Sequence, residues 1–195
     1  EFPSVLVRNA KARGVKLVSV NSHKSSISAL ADMWIATRPG TDAALAMAMI
    51  NHIVEEELYD KDFVERWALG FKEFAEYAKS FTLERAESST GVSSGLIGEF
   101  AELYATSKPA CIRLGNGLEM HENAVNTARA IASLIAITGN VDIPGGNVLF
   151  PKPKVSPHPA WKRPEFSLGS PKYPLIKWFT PFPEVLDGIL KGRVR

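Results

Sequence analysis

Apolar positions recur along this chain at two spacings, and the spacing changes several times. Over residues 3–13, Val5, Leu6 and Val7 stand against Arg8, Lys11 and Arg13, a helical pattern that Gly14 stops. Residues 15–20 and 33–37 are short apolar runs of strand length. Residues 41–57 predict a long helix with Ala44, Leu45, Ala48, Met49 and His52 on one face. Glu55, Glu56 and Glu57 close it; they oppose the helix dipole there and are expected in solvent. Asp60 reads as the cap of the next helix, and residues 71–81 and 82–88 as two more. Thr90-Gly91-Val92-Ser93 is a break, after which Ser93 or Ser94 caps a helix to about Ser107. Residues 109–114 predict a strand, Gly115-Asn116-Gly117 a turn, and residues 121–138 a helix ended by Gly139. Thr138-Gly139-Asn140 and Pro144-Gly145-Gly146-Asn147 are conformational, a helix stop and then a glycine-dense turn.

Strands alternating with helices predict an α/β fold with a short parallel sheet covered by helices. After Pro144 the texture changes, because ten of the thirteen prolines lie from Pro144 to Pro183. Such chain sustains neither long helices nor central strands. Trp161, Phe166, Tyr173, Trp178, Phe179 and Phe182 are interleaved with the prolines, so the segment is expected to wrap a neighbouring surface rather than stay disordered. A short helix is expected over 183–191. The expected division is residues 1–147 as one domain, with a helical block at about 58–108, and 148–195 as a Pro-rich and aromatic-rich extension.

Composition narrows the function. With 195 residues, 45% of them hydrophobic, the chain can bury one core. A net charge of +2 gives no support to nucleic-acid binding or membrane contact, and no apolar run is long enough for a bilayer. Residues 1–20 lack a signal-peptide pattern. One cysteine excludes a disulfide framework or a cysteine-held iron–sulfur cluster within these residues. Four dispersed histidines form no local metal motif.

The candidate chemistry centres on Arg38-Pro39-Gly40-Thr41-Asp42, a tight turn between a strand and a helix start. Free N–H groups and the helix dipole there suit anionic oxygens. Asp42 can accept paired hydrogen bonds of the kind a guanine edge offers. The plainer reading is that Thr41 or Asp42 caps the helix. Asn21-Ser22-His23 ends another strand, where open sheets bind ligands; an Asx turn explains Asn21 equally well. The Gly115-Asn116-Gly117 glycines suggest positive φ and close approach to a ligand. His121 serves either a cofactor or a helix cap. Cys111 reads as a buried strand cysteine, and Asp32 as a residue turning the chain into its strand.

These motifs, in this order and together with the Ile112-Arg113-Leu114 and Val141-Asp142-Ile143 stretches around them, resemble the molybdopterin oxidoreductases over about residues 1–150. The look is nearest to the acetylene hydratase-like branch. The resemblance implies a three-layer, Rossmann-like domain. It implies that Asp42 reads the guanine of a pterin guanine dinucleotide, that Arg38, Pro39 and Gly40 form the neighbouring wall, and that Asn21, Ser22, His23, Gly115, Asn116, Gly117 and His121 lie about the cofactor. The family often has Asp-Pro-Arg where this chain has Asn21-Ser22-His23, which removes a charge on ribose and an arginine on phosphate; Lys24 is a substitute. By the same resemblance the parent is a molybdenum or tungsten enzyme of the prokaryotic cytoplasm or periplasm. Its 4Fe–4S cluster and metal ligand lie in other parts of the subunit, and an iron–sulfur electron-transfer subunit is its partner. The first strand and glycine-rich loop of the domain are not recognisable in these residues. A fragment of this kind is expected to bind no metal and to catalyse nothing alone. Two rivals remain: a cofactor-free structural domain of an electron-transfer complex, and a plain nucleotide-binding module.

Overall fold

The computed structural model describes residues 2–148 and 182–192. The chain divides into two compact units, Glu1–Leu149 and Phe150–Arg195. The first unit runs α1 (Phe2–Ala12), β1 (Val18–Val20), β2 (Met33–Ile35), α2 (Asp42–Glu55), α3 (Lys61–Trp67), α4 (Phe71–Ala78), α5 (Leu83–Thr90), α6 (Ser94–Thr106), a 3-10 turn over Asn116–Met120, and α7 (Ala124–Ile137). In the second unit the described element is α8 (Phe182–Leu190). The expected wrapping segment, with Trp161 through Phe179, lies outside the described residues.

The sheet has two parallel strands, with Val18 opposite Met33, Ser19 opposite Trp34 and Val20 opposite Ile35. Asp32 ties its base: one carboxylate oxygen accepts from Lys11 at 2.8 Å and the other from the Leu17 N–H at 2.8 Å. These bonds, the Lys11 bond foremost, hold the Asp32 carboxyl below the ordinary aspartate range. The core forms around α2, which packs against α4, α5, α6 and α7. Leu45 through Asn51 are all buried, so α2 is covered all round, beyond the face that carries Ala44, Leu45, Ala48, Met49 and His52. Glu55, Glu56 and Glu57 are exposed.

Two local signals act as expected. The Asp60 side chain caps α3 by accepting from the Phe63 N–H at 2.9 Å, and Ser93 caps α6 through the Leu96 N–H. Gly139, at φ +66°, ends α7. The expected strand at 109–114 does not form. Instead the Ala110 N–H donates to Asn140 Oδ1 at 3.0 Å, the Ile112 N–H donates to Asn147 Oδ1 at 2.9 Å, and Asn147 Nδ2 donates to the Ile112 carbonyl at 2.8 Å. Side-chain amides take the place of a neighbouring strand there. Cys111 is accordingly exposed, not buried, because no second strand among the described residues covers it.

Candidate functional site

β1 and β2 run parallel, so the loops that follow them leave from the same edge of the sheet. After β2, Arg38, Pro39, Gly40 and Thr41 make a type II turn. Pro39 supplies its fixed φ, Gly40 sits at φ +80°, and the Thr41 N–H donates to the Arg38 carbonyl at 3.2 Å. Thr41 occupies the cap position of α2 but does not cap it; its hydroxyl turns back and donates to the Arg38 carbonyl at 2.7 Å. Asp42 is the first residue of the helix. Neither side chain serves as the cap that the plainer sequence reading expected.

Asp42 is half-buried, and burial pushes its carboxyl above the ordinary aspartate value. Its own backbone N–H and the nearby His121 draw it part of the way back. His121 also does not cap α7: that position belongs to Asn123, which makes no side-chain cap bond. The His121 ring instead faces the turn, with Nδ1 3.6 Å from where a Cβ on Gly40 would lie. The 38–42 and 115–121 loops therefore meet at Gly40, Asp42 and His121.

Arg38 does something the sequence did not suggest. Its guanidinium donates to the carbonyls of Ser88 at 2.8 Å and Ser89 at 3.3 Å, in the last turn of α5. Its backbone N–H donates to the Thr90 carbonyl at 2.9 Å. A cation on the free carbonyls of a helix C-terminus is a favourable pairing. It fixes the turn against the helical block, and three of the five guanidinium donors remain. Pro39 is exposed.

Asn21 continues the parallel ladder, its N–H donating to the Ile35 carbonyl at 3.0 Å. Its side-chain oxygen accepts from the His23 N–H at 3.4 Å, the Asx turn that the plainer reading expected. Trp34 Nε1 donates to the Asn21 carbonyl at 3.0 Å, and Lys24 lies 5.7 Å from the centre of the Trp34 ring. Ser22 and His23 are exposed.

Gly115, Asn116 and Gly117 are exposed. The expected positive φ is absent: Gly115 sits at −106°, and Gly117 is within the 3-10 turn. A Cβ on either glycine would meet open space, so packing within the described residues requires neither glycine. The hydroxyl of Thr41 belongs to the corner although it was not among the expected site residues; the Pro39-Gly40 turn was the signal for it. Among the described residues, no group of three or more His, Cys, Asp or Glu is placed to hold a metal ion.

A family model described as "Molybdopterin oxidoreductase" matches residues 2–151. The chain is 34% identical over 181 residues to acetylene hydratase of Syntrophotalea acetylenica, covering 88% of this chain and 25% of that protein. It is 39% identical over 142 residues to formate dehydrogenase H of Escherichia coli K12, covering 73% and 20%. The solved structure of acetylene hydratase from Pelobacter acetylenicus superposes with a TM-score of 0.66 at 39% identity, covering 68% of this chain and 18% of that one. The chain thus spans about a quarter or less of the length of the curated relatives it matches.

Proposed function

The chain belongs to the molybdopterin oxidoreductase family, and from that premise we propose that it is the dinucleotide-binding portion of a longer catalytic subunit, seating the guanosine end of a pterin guanine dinucleotide at Asp42. The reading extends the short parallel sheet to a three-layer, Rossmann-like domain of residues 1–147 with a helical insert, followed by an extension over 148–195. The parent would carry molybdenum or tungsten on its pterins and a 4Fe–4S cluster elsewhere in the subunit. It would pass electrons to an iron–sulfur partner subunit.

One observation carries the proposal. A half-buried carboxylate stands at the first position of α2, behind a Pro-Gly turn, on the sheet edge from which two strand-end loops emerge. Asp42 would accept from the N1–H and exocyclic amine of guanine, two charge-assisted bonds in parallel. The Ala43 N–H, in the first turn of α2, has no partner among the described residues and favours an acceptor oxygen. His121 would close the corner from the other side, its ring at ordinary contact distance from where a Cβ on Gly40 would lie. Ser22, His23 and Asn116 are exposed polar groups for the ribose and phosphates. The donor set therefore fits a guanosine. The metal and pterins supply the electron or atom transfer when bound, and the residues here hold and orient.

A second reading, a structural domain without cofactor, draws on the Asx turn at Asn21 and on Arg38 being engaged with α5. Titration calorimetry with GMP, with AMP as control, separates the two. GMP binding that Asp42→Ala abolishes supports the guanosine seat; no heat with either nucleotide supports the structural domain.

A further inference from the structure

A groove of about 630 Å3 runs between α2, α4 and α7. Met47, Phe74, Tyr77 and Phe81 line it, together with Asn126 and Arg129. It opens onto Gly40 and Thr41 at one end. No acidic side chain lines it, and Arg129 is its charged residue. A smaller adjoining hollow shares Ala44 and Phe81 with it and adds Arg85, whose guanidinium lies 5.4 Å from the Phe81 ring centre.

Tyr77 packs edge-on against Phe81, with ring centres 5.4 Å apart, yet remains 61% exposed. The Arg129 guanidinium has no hydrogen bond or ion pair among the described residues. A recess with three aromatic side chains and an unpaired cation is an unfinished surface. Its complement is a segment that brings apolar side chains for the recess and a carboxylate for the arginine.

Relatives of this chain are several times its length, since it spans 25% of one and 20% of another. Most of such a subunit lies outside these residues and must pack on something. We propose that this groove is the seat of an acidic segment with an apolar anchor from the remainder of its own catalytic subunit, with a carboxylate paired to Arg129. The proposal rests on the reading of the chain as one portion of a longer subunit. A segment seated there abuts the Gly40–Thr41 turn, so it would steady the corner.

Hydroxyl-radical footprinting, read at Tyr77 by mass spectrometry, tests it on the full-length subunit and on the 195-residue chain. Tyr77 labelling is expected to fall several-fold in the full-length subunit, and Arg129→Glu is expected to restore most of it. Arg129→Gln, which removes the charge without reversing it, should restore part. Both positions are exposed, so folding is expected to survive, and circular dichroism checks this. Equal labelling of the two proteins would overturn the proposal. So would protection that Arg129→Glu leaves intact, or protection that appears in the isolated chain as its concentration rises, which would identify a second copy as the occupant. Asp42→Ala keeps the two readings separate: it should abolish guanosine binding and leave Tyr77 protected.

Discussion

At Asp42 two demands oppose each other. Burial favours the neutral acid, while the proposed guanine contact would require the carboxylate. GMP affinity should therefore weaken as pH falls toward the raised pKa of Asp42, beginning at a higher pH than for an ordinary aspartate. Carboxyl NMR should show the Asp42 pKa dropping when GMP binds. The sign for stability follows from the same shift. A carboxyl whose folded pKa lies above its unfolded one holds its proton more tightly in the folded chain. Its stabilising contribution is full below the unfolded value and is lost as pH rises through the folded one. Asp32, Asp60, Glu57 and Glu87, with lowered values, act in the opposite direction. The difference between wild type and Asp42→Asn across pH isolates the Asp42 contribution, and urea unfolding at a series of pH values measures it. Gly40 is the second residue to test. At φ +80°, Gly40→Ala should cost about 1–2 kcal/mol of stability, measurable by urea unfolding. Pro39-Gly40 was legible in the sequence because a type II turn demands those residue types. The engagement of Arg38 with α5 was not, since its carbonyl partners lie far along the chain.

Among the elements, those that rest on local chemistry were read well. The caps at Asp60 and Ser93 and the stop at Gly139 each involve neighbours within a turn of helix. The 109–114 strand was misread because a strand needs a partner, and pairing is not written in the run itself. Here the partners are the side chains of Asn140 and Asn147, on the far side of α7 in sequence. Asn140 is fully buried, and its Nδ2 also donates to Thr138 Oγ1 at 3.0 Å. Asn140→Ala should cost about 1–3 kcal/mol, because it strands the Ala110 N–H, and chemical denaturation would detect this. Asn147→Asp should also destabilise: it keeps the acceptor for Ile112 but loses the donor to the Ile112 carbonyl. The burial of α2 beyond its one apolar face was not legible for a related reason. Its Ala-rich and Met-rich composition fits burial on every side, and only the positions of the flanking helices decide how many sides are covered.

At the scale of the whole molecule, α2 links core and site: its middle is the centre of the packing and its first residue is Asp42. A ligand on Asp42 should thus stabilise the cooperative unit. At one hundred times its Kd, GMP should add about 2.7 kcal/mol to the unfolding free energy, seen as a rise in Tm that AMP does not produce. The family was legible because its motifs are short and keep their order, whereas the meeting of His121 with Gly40 depends on how distant segments fold together. Recognition of guanine by Asp42 would show in the ratio of IMP to GMP dissociation constants. IMP keeps N1–H and lacks the exocyclic amine, so one charge-assisted bond of about 1.5–3 kcal/mol is lost. GMP should bind roughly ten-fold or more tighter than IMP in the wild type, and neither nucleotide should bind detectably in Asp42→Ala. Equal affinities in the wild type, or GMP binding retained in the variant, would overturn the assignment.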